Sequence, residues 1–325
     1  MSRGLLALLA LGVACSSGSP PGDGTASPPG GGARGAQSID SAQLVADVAA
    51  LAADSMLGRL AGSPGAAMAR RYIVGRLERA GLRPPVGAST YEQQFSLQGG
   101  AGQGVNLVAQ ITGRVHPERY IVLSAHYDHE GVKDGQIYNG ADDNASGVAA
   151  VLAIAGRLAE RQPESSILLA FFDAEESAEQ GAKSFVASPP VPLSRIVLNV
   201  NLDMVSRNAR GELYVAGTSH YPFLRPYLDS VAARAPVTLR FGHDTPAARE
   251  SDDWTTASDH SAFHAAGVPF AYFGVEDHPD YHRPTDDVER IDPGFFVRSV
   301  ETIADALATF DRHLPAISAA SGRQP

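Results

Sequence analysis

Imidazole and carboxylate side chains recur in five separated patches of the chain: His126-Tyr-Asp-His129, Asp142-Asp-Asn144, Glu175-Glu176, Asp203 and Tyr281-His282. No cysteine is among them. Nitrogen and oxygen donors of this kind suit a divalent cation that keeps an open position for water and substrate. Zinc fits them, and cobalt or manganese is admitted by the same donors. A glutamate next to a ligating glutamate supplies a candidate general base. The chemistry these types point to is metal-dependent hydrolysis.

Each patch has a plainer reading. His126 follows an apolar run, and Asp128 lies two residues on, so extended backbone puts both on one face. Asp128 can then accept the second ring N–H of a metal-bound His126 and fix its tautomer. His129 is read as structural. Asp142, Asn144, Ser146 and Gly147 imitate the start of a calcium loop, but position twelve of that motif is Ala153 instead of a bidentate glutamate. Asn144-Ala-Ser146 matches the short glycosylation pattern, which has little specificity. One acidic residue suffices to cap the helix that follows. Three consecutive acid or amide residues invite a second role, and a carboxylate can bridge two cations. Glu175-Glu176 could be a solvated acidic pair, yet it ends the most hydrophobic strand candidate in the chain. There, one carboxylate can bind metal while its neighbour faces the reacting water. Ser146, the one serine in the stretch Gly140–Gly147 around Asp142-Asp-Asn144, has no reason to be a nucleophile.

Four of the five patches sit where a predicted strand runs out or a turn follows one. The spacing predicts strands at Val105–Ile111, Tyr120–Ser124, Ile167–Phe172, Ile196–Leu202, Leu213–Ala216, Leu239–Gly242 and Phe270–Gly274. Near-continuous apolar runs among them read as buried strands. Helices are predicted over Ser41–Ala53, from Pro64 through Leu82, over Ala145–Leu158, through Tyr227 and Val231, and over Phe295–Phe310. Gly99–Gly104 precedes a strand, not a helix, so it reads as a mobile loop and not a dinucleotide fingerprint. Strands alternating with helices imply an α/β fold, a three-layer α/β/α sandwich with a mostly parallel mixed sheet. In such a sheet the strand ends meet at one edge, where distant patches converge. Phe263, Phe270, Tyr272 and Phe273 read as core, with pocket lining as the alternative.

The chain has 325 residues, 44% of them apolar, and a net charge of −10. Scattered acidic residues argue against a nucleic-acid partner, which wants a basic stripe. The apolar run Leu5–Val13, after Arg3, is too short for a membrane helix and reads as an export signal. It ends at Cys15, the single cysteine, and Leu11-Gly-Val-Ala-Cys15 resembles a bacterial lipobox with Gly12 where a larger aliphatic residue is usual. Lipidation of Cys15 is favoured over plain secretion, giving an envelope-anchored protein that faces the periplasm or the surface. The expected organisation is a signal at 1–15, a flexible Ser/Gly/Pro linker at 16–37, a catalytic domain at 38–315 and a disordered tail at 316–325. An internal disulfide is excluded by the single cysteine.

The order and wording of the patches resemble the secreted two-zinc aminopeptidase family of metallopeptidases, which includes relatives of the glutamate carboxypeptidase type. The resemblance covers roughly Ser41 to Leu314. It implies a zinc-exopeptidase-like fold, peptide substrates and two Zn2+ per chain. His126 and Asp203 would bind one zinc, Glu176 and His282 the other, and Asp143 would bridge them. Glu175 would be the general base, Asp128 would support His126, and the Tyr281 hydroxyl would stabilise the tetrahedral intermediate. Asp142 has no ligand role in this pattern, and Ser258-Asp-His260 matches a segment read as structural. The implied reaction removes N-terminal residues from peptides. The alternatives are hydrolysis of another amide, of carboxypeptidase or N-acyl type, and a non-catalytic envelope binding protein. A glutaminyl-cyclase-like branch resembles a single-zinc site and would not need the full bridging set.

Overall fold

The computed structural model describes residues 39–99, 102–245 and 252–323. The signal segment, Cys15 and the 16–37 linker lie outside the described residues, as do residues 100 and 101 of the glycine-rich loop. In chain order the first elements are α1 (Ser41–Leu51), α2 (Pro64–Arg79), β1 (Glu92–Ser96), β2 (Gln103–Ile111), β3 (His116–His126), β4 (Gly131–Lys133) and β5 (Gln136–Tyr138). Then come α3 (Gly147–Glu160), β6 (Ser165–Phe172), α4 (Gln180–Ala187), β7 (Ile196–Asp203) and β8 (Glu212–Ala216). The chain closes with α5 (Arg225–Ala232), β9 (Thr238–Phe241), α6 (His260–Ala265), β10 (Phe270–Gly274) and α7 (Pro293–Ala320).

Eight strands make one mixed sheet in the order β1-β2-β6-β3-β7-β10-β8-β9, and β4 and β5 pair as a separate hairpin. The central four, β6, β3, β7 and β10, run parallel. Every residue of β6 and β7 is buried, because helices cover both faces. Alternate side chains separate the two faces. Ile167, Leu169 and Phe171 join the large core beneath α1, α2, α3, α5 and α7. Leu168, Ala170 and Phe172 join a smaller core with Ala182 and Phe185 of α4 and Ala262 and Phe263 of α6. The three-layer α/β/α sandwich expected from the sequence is therefore what the chain forms. Phe263, Phe270 and Phe273 are fully buried and Tyr272 nearly so, as core.

Chain direction around the sheet places the site. From β3 the chain passes through α3 to β6 on one side, then through α4 to β7 on the other side of β3. Connections that leave neighbouring parallel strands in opposite directions open a crevice at their carboxyl ends. That crevice lies where β3, β6 and β7 deliver His126, Glu175-Glu176 and Asp203.

The C-terminal expectation is corrected. Residues 316–323 are not a disordered tail: α7 continues to Ala320, with Pro315 inside it and Ile317 fully buried. Arg323 donates to the carbonyls of Ile196 (2.8 Å) and Gly267 (2.9 Å). Proline removes one helical hydrogen bond, but the apolar stripe of Phe310, Leu314 and Ile317 runs through it, and burial of that stripe outweighs the loss. Among the described residues no helix is long and apolar enough to cross a membrane.

Candidate metal centre

The patches meet. The two oxygens of Asp143 face two different imidazoles: Oδ1 lies 3.3 Å from His126 Nε2 and Oδ2 lies 3.1 Å from His282 Nε2. Asp203 Oδ1 is 3.3 Å from the same His126 nitrogen. Glu176 Oε2 is 3.3 Å from His282 Nε2. Tyr281 stacks on the His282 ring, centroids 3.9 Å apart. Asp128 accepts the backbone N–H of Glu175 at 3.0 Å and of Glu176 at 3.4 Å, so it anchors the turn that presents both glutamates. Its own carbonyl oxygen lies 3.2 Å from His126 Nδ1, nearer than its carboxylate at 3.6 Å. The tautomer of His126 is thus set by the backbone of Asp128 more than by its side chain.

Local backbone explains how short loops hold these groups. Ala174, Met204 and His282 adopt positive φ of 59°, 57° and 52°. Non-glycine residues rarely do so, and such strain persists where the surroundings over-determine it. Asn144 supplies part of that determination. Its Nδ2 donates to Leu202 O at 2.9 Å, while its Oδ1 accepts from Gly147 N and Met204 N. This ties the Asp143 turn to the end of β7. A Cβ at Gly147 would overlap the Asn144 amide and Leu202 O, so the helix can start this close only with glycine there. Asp286 accepts the backbone N–H of Asp142 and of Asp143, both near 3 Å. Asp142 itself turns away from the cluster, accepting from Ser206 N and Oγ and meeting His278 Nε2 at 3.2 Å. Ser146 Oγ donates to Asp142 O and is structural.

Two further supports reach the site from below. Arg59 is fully buried, and its guanidinium donates to the carbonyls of Tyr127, Leu51, Asn139 and Gly140. It pins the segments that enter and leave the His126–Asp143 stretch. Burial pulls its pKa down to about 10, opposed by the charges of Asp143, Asp128, Asp286 and Glu176. The second support is a hydrogen-bond chain across the sheet. Asn199 Nδ2 donates to Ser124 Oγ (2.9 Å), Ser124 Oγ donates to Asn201 Oδ1 (2.7 Å), and Asn201 Nδ2 donates to Ser258 Oγ (3.0 Å). The Ser258 hydroxyl proton remains for Asp203, whose charged form it favours. Asn199, Asn201 and Asp203 share one face of β7, as alternation requires.

The charges are interlocked. Burial alone would lower the pKa of His126, but Asp203, Glu175, Asp128 and Asp143 carry it well above the usual value. Burial would raise Asp143, but His126, His129 and His282 hold it well below the usual carboxylate range. Burial pushes Glu175 well up, with Asp259, Asp203 and Glu176 adding to it against His126. Burial likewise raises Asp203 against His126, and raises Glu176, aided by Asp143. Protons shared among buried acids and imidazoles are what a divalent cation displaces when it binds.

The donors fit zinc. Bonds of about 2.0–2.1 Å at tetrahedral angles put ligand atoms about 3.3–3.4 Å apart. His126 stands at this distance from Asp143 and Asp203, and His282 stands close to it from Asp143 and Glu176. His126, Asp143 and Asp203 form a mutually close donor set; a second set is His129, Asp143 and Glu176, and a third is Glu130, Glu176 and His282. All eight site residues expected from the sequence are therefore in or beside one cluster. His129, read from sequence as structural, is in it too: its Nδ1 lies 2.6 Å from Glu176 Oε1. The signal was its place three residues after His126. Arg59 and Asp286 give no such signal, and Ser258 is legible only within the Ser258-Asp-His260 segment read as structural.

The family model described as "Peptidase family M28" matches residues 106–307. Aminopeptidase YwaD of Bacillus subtilis is 31% identical over 188 residues, 54% of this chain and 37% of that protein. Leucine aminopeptidase 2 of Trichophyton rubrum is 27% identical over 234 residues, 64% of this chain and 45% of that protein. The chain thus spans less than half the length of these curated relatives. Among solved structures, BSAP, a zinc aminopeptidase from Bacillus subtilis, superposes with a TM-score of 0.66 at 16% identity, covering 83% of this chain and 95% of that one. Porphyromonas gingivalis glutaminyl cyclase superposes with a TM-score of 0.67 at 20% identity, covering 83% and 98%. At these identities the structural likeness shows the shared fold.

Proposed function

The chain belongs to peptidase family M28, and from that premise we propose that it is a zinc-dependent exopeptidase that removes N-terminal residues from peptides. The observation that carries the reading is Asp143, one carboxylate whose two oxygens address two different imidazoles. His126 and Asp203 would hold one cation, Glu176 and His282 a second, with Asp143 common to both. Bound there, zinc supplies Lewis-acid activation of a water and of the scissile carbonyl.

This chain's own groups do the rest. Glu175 takes a proton from the attacking water and passes it to the amine nitrogen as the C–N bond breaks, so one water is added across the peptide bond. Its pKa, raised by burial, favours holding that proton between the two transfers. The hydroxyl of Tyr281 keeps its proton, since burial and the nearby Asp143, Asp203 and Glu176 push its pKa well up. It is therefore a donor for the oxyanion of the tetrahedral intermediate, a contribution of about 3 kcal/mol for a well-placed group. Asp128 keeps Glu175 and Glu176 in their two different orientations. The names of YwaD and leucine aminopeptidase 2 support the amino end of the peptide as the point of attack.

The deciding assay compares aminoacyl-nitroanilides with their N-blocked analogues. Cleavage of the free-amine substrates alone is expected. Preference for blocked substrates would move the reading to an N-acyl amidase, and cyclisation of N-terminal glutamine without hydrolysis would move it to a cyclase. Glu175→Gln should lower kcat by about 10²–10⁴-fold while metal content stays unchanged.

A further inference from the structure

His129 is buried, and its side chain is aimed into the cation cluster. Nδ1 stands 2.6 Å from Glu176 Oε1 and 3.9 Å from Asp143 Oδ2, and the ring meets His282 edge-on at 5.8 Å. Among the described residues Nε2 has no hydrogen-bond partner. The backbone closes around the ring, because a Cβ at Gly140, where φ is 55°, would overlap it.

We infer that His129 is a positioning residue for the Glu176–His282 half of the centre, holding Glu176 by a hydrogen bond from Nδ1–H so that its other oxygen is presented to the cation. The inference rests on the two-cation reading above. A ligating carboxylate is ionised, so the proton between His129 Nδ1 and Glu176 Oε1, 2.6 Å apart, belongs to Nδ1, which donates it to Oε1. Glu176 Oε2 is then the oxygen left for ligation, and it is the one that sits 3.3 Å from His282 Nε2. Direct ligation by His129 fits the distances less well. Atoms on a shared zinc stand about 3.3–3.4 Å apart, whereas His129 Nδ1 is too near Glu176 and too far from Asp143. Carboxylate ligands are commonly fixed in this way, and loss of such a partner weakens metal binding by roughly 10–100-fold.

The test uses chelator-stripped full-length protein titrated calorimetrically with Zn2+, and separately with Co2+ read by its visible absorption. His129→Ala should weaken one of two binding steps by roughly tenfold or more and leave the other unchanged. His129→Asn, whose amide N–H can occupy the place of Nδ1–H, should restore most of the lost affinity. Two unchanged steps in the Ala protein would overturn the inference. So would an Asn protein as weak as Ala with an altered cobalt spectrum, since the imidazole would then be a ligand. So would equal loss of both steps in the Asn protein, since the effect would not be local. If the unsubstituted protein binds only one cation, it is the two-cation reading that fails, and the two failures are told apart by that control.

Discussion

The two halves of the centre are built differently. His126 and Asp203 stand on the ends of β3 and β7, with side chains 1% and 9% exposed. Glu176 and His282 stand in loops, with side chains 11% and 36% exposed. The first half is backed by a hydrogen-bond chain that crosses the sheet from Asn199 to Ser258. The second relies on His129 and on a His282 backbone in the left-handed region. A strand end fixes a ligand through the whole sheet, whereas a loop fixes it through a few side chains. The inner half is therefore the more rigid part of the candidate centre, and the outer half is the more open to solvent.

Asp143 belongs to both halves, so removing it should erase the contrast. Asp143→Ala is expected to reduce turnover by roughly 10³-fold or more, and elemental analysis should show fewer than two metals per chain. Retention of two metals would remove the bridging role. In the unsubstituted protein, stepwise addition of a chelator should instead strip one metal before the other. A single concerted release would deny that the halves differ.

Arg59 tests the floor beneath both halves. Its replacement by Met removes the Arg59 donor from the buried carbonyls of Leu51, Tyr127 and Asn139, while the Gly140 carbonyl keeps only the N–H of Ala145. At about 1–3 kcal/mol for each group left unsatisfied, less what relaxation and water recover, a loss on the order of 4 kcal/mol in unfolding free energy is expected. A change under about 1 kcal/mol in urea melts would show that the cage is incidental.

These supports also mark where the sequence stops being readable. The four central strands announce themselves as apolar runs, because both faces are covered, and their ends announce the ligands. The hairpin β4–β5 does not: its strands are three residues each, with exposed Val132 and Lys133 giving no alternation to detect. The short helices α4 and α6 carry too few turns for a stripe. Arg59 reads as a surface residue, since arginine is rarely buried; only contacts some 70–80 positions away along the chain make it a core group. Beyond Pro315 the sequence offers no local signal of helix, and it is distant packing of Leu314 and Ile317 that carries α7 to Ala320. His129 shares a patch with His126, but which ring nitrogen meets which carboxylate oxygen depends on two loops the sequence does not bring together.

A smaller effect separates the halves again. Ser258→Ala removes the last donor in the chain that reaches Asp203. It should weaken the tighter metal-binding step by about tenfold, or about 1.4 kcal/mol, and spare the weaker one. If the weaker step moves instead, the chain has been assigned to the wrong half.

Two histidines titrate in opposite senses in the metal-free protein. His260, beside Ser258, is fully buried and donates Nε2–H to Trp254 O at 2.7 Å. Burial lowers its pKa to about 3. The unfolded chain binds this proton below the ordinary value of about 6.5 and the folded chain does not, so acidification from 6.5 toward 3 removes stability, by at most about 1.4 kcal/mol per pH unit. His282 runs the other way. Burial would lower its pKa, but Asp143, Glu176 and Glu130 raise it to about 9. Its contribution is full below 6.5 and is lost as pH rises through 9, and its partial exposure makes it the smaller of the two. Urea melts of chelator-treated protein should therefore show His260→Gln flattening the acid limb between pH 6.5 and 4. His282→Gln should cost stability at pH 6 and nothing further at pH 10. Zinc should abolish the His282 difference in pH dependence, because a ligating imidazole carries no second proton, and leave the His260 limb in place. A zinc-insensitive alkaline limb would mean that His282 is not among the groups that hold the cation.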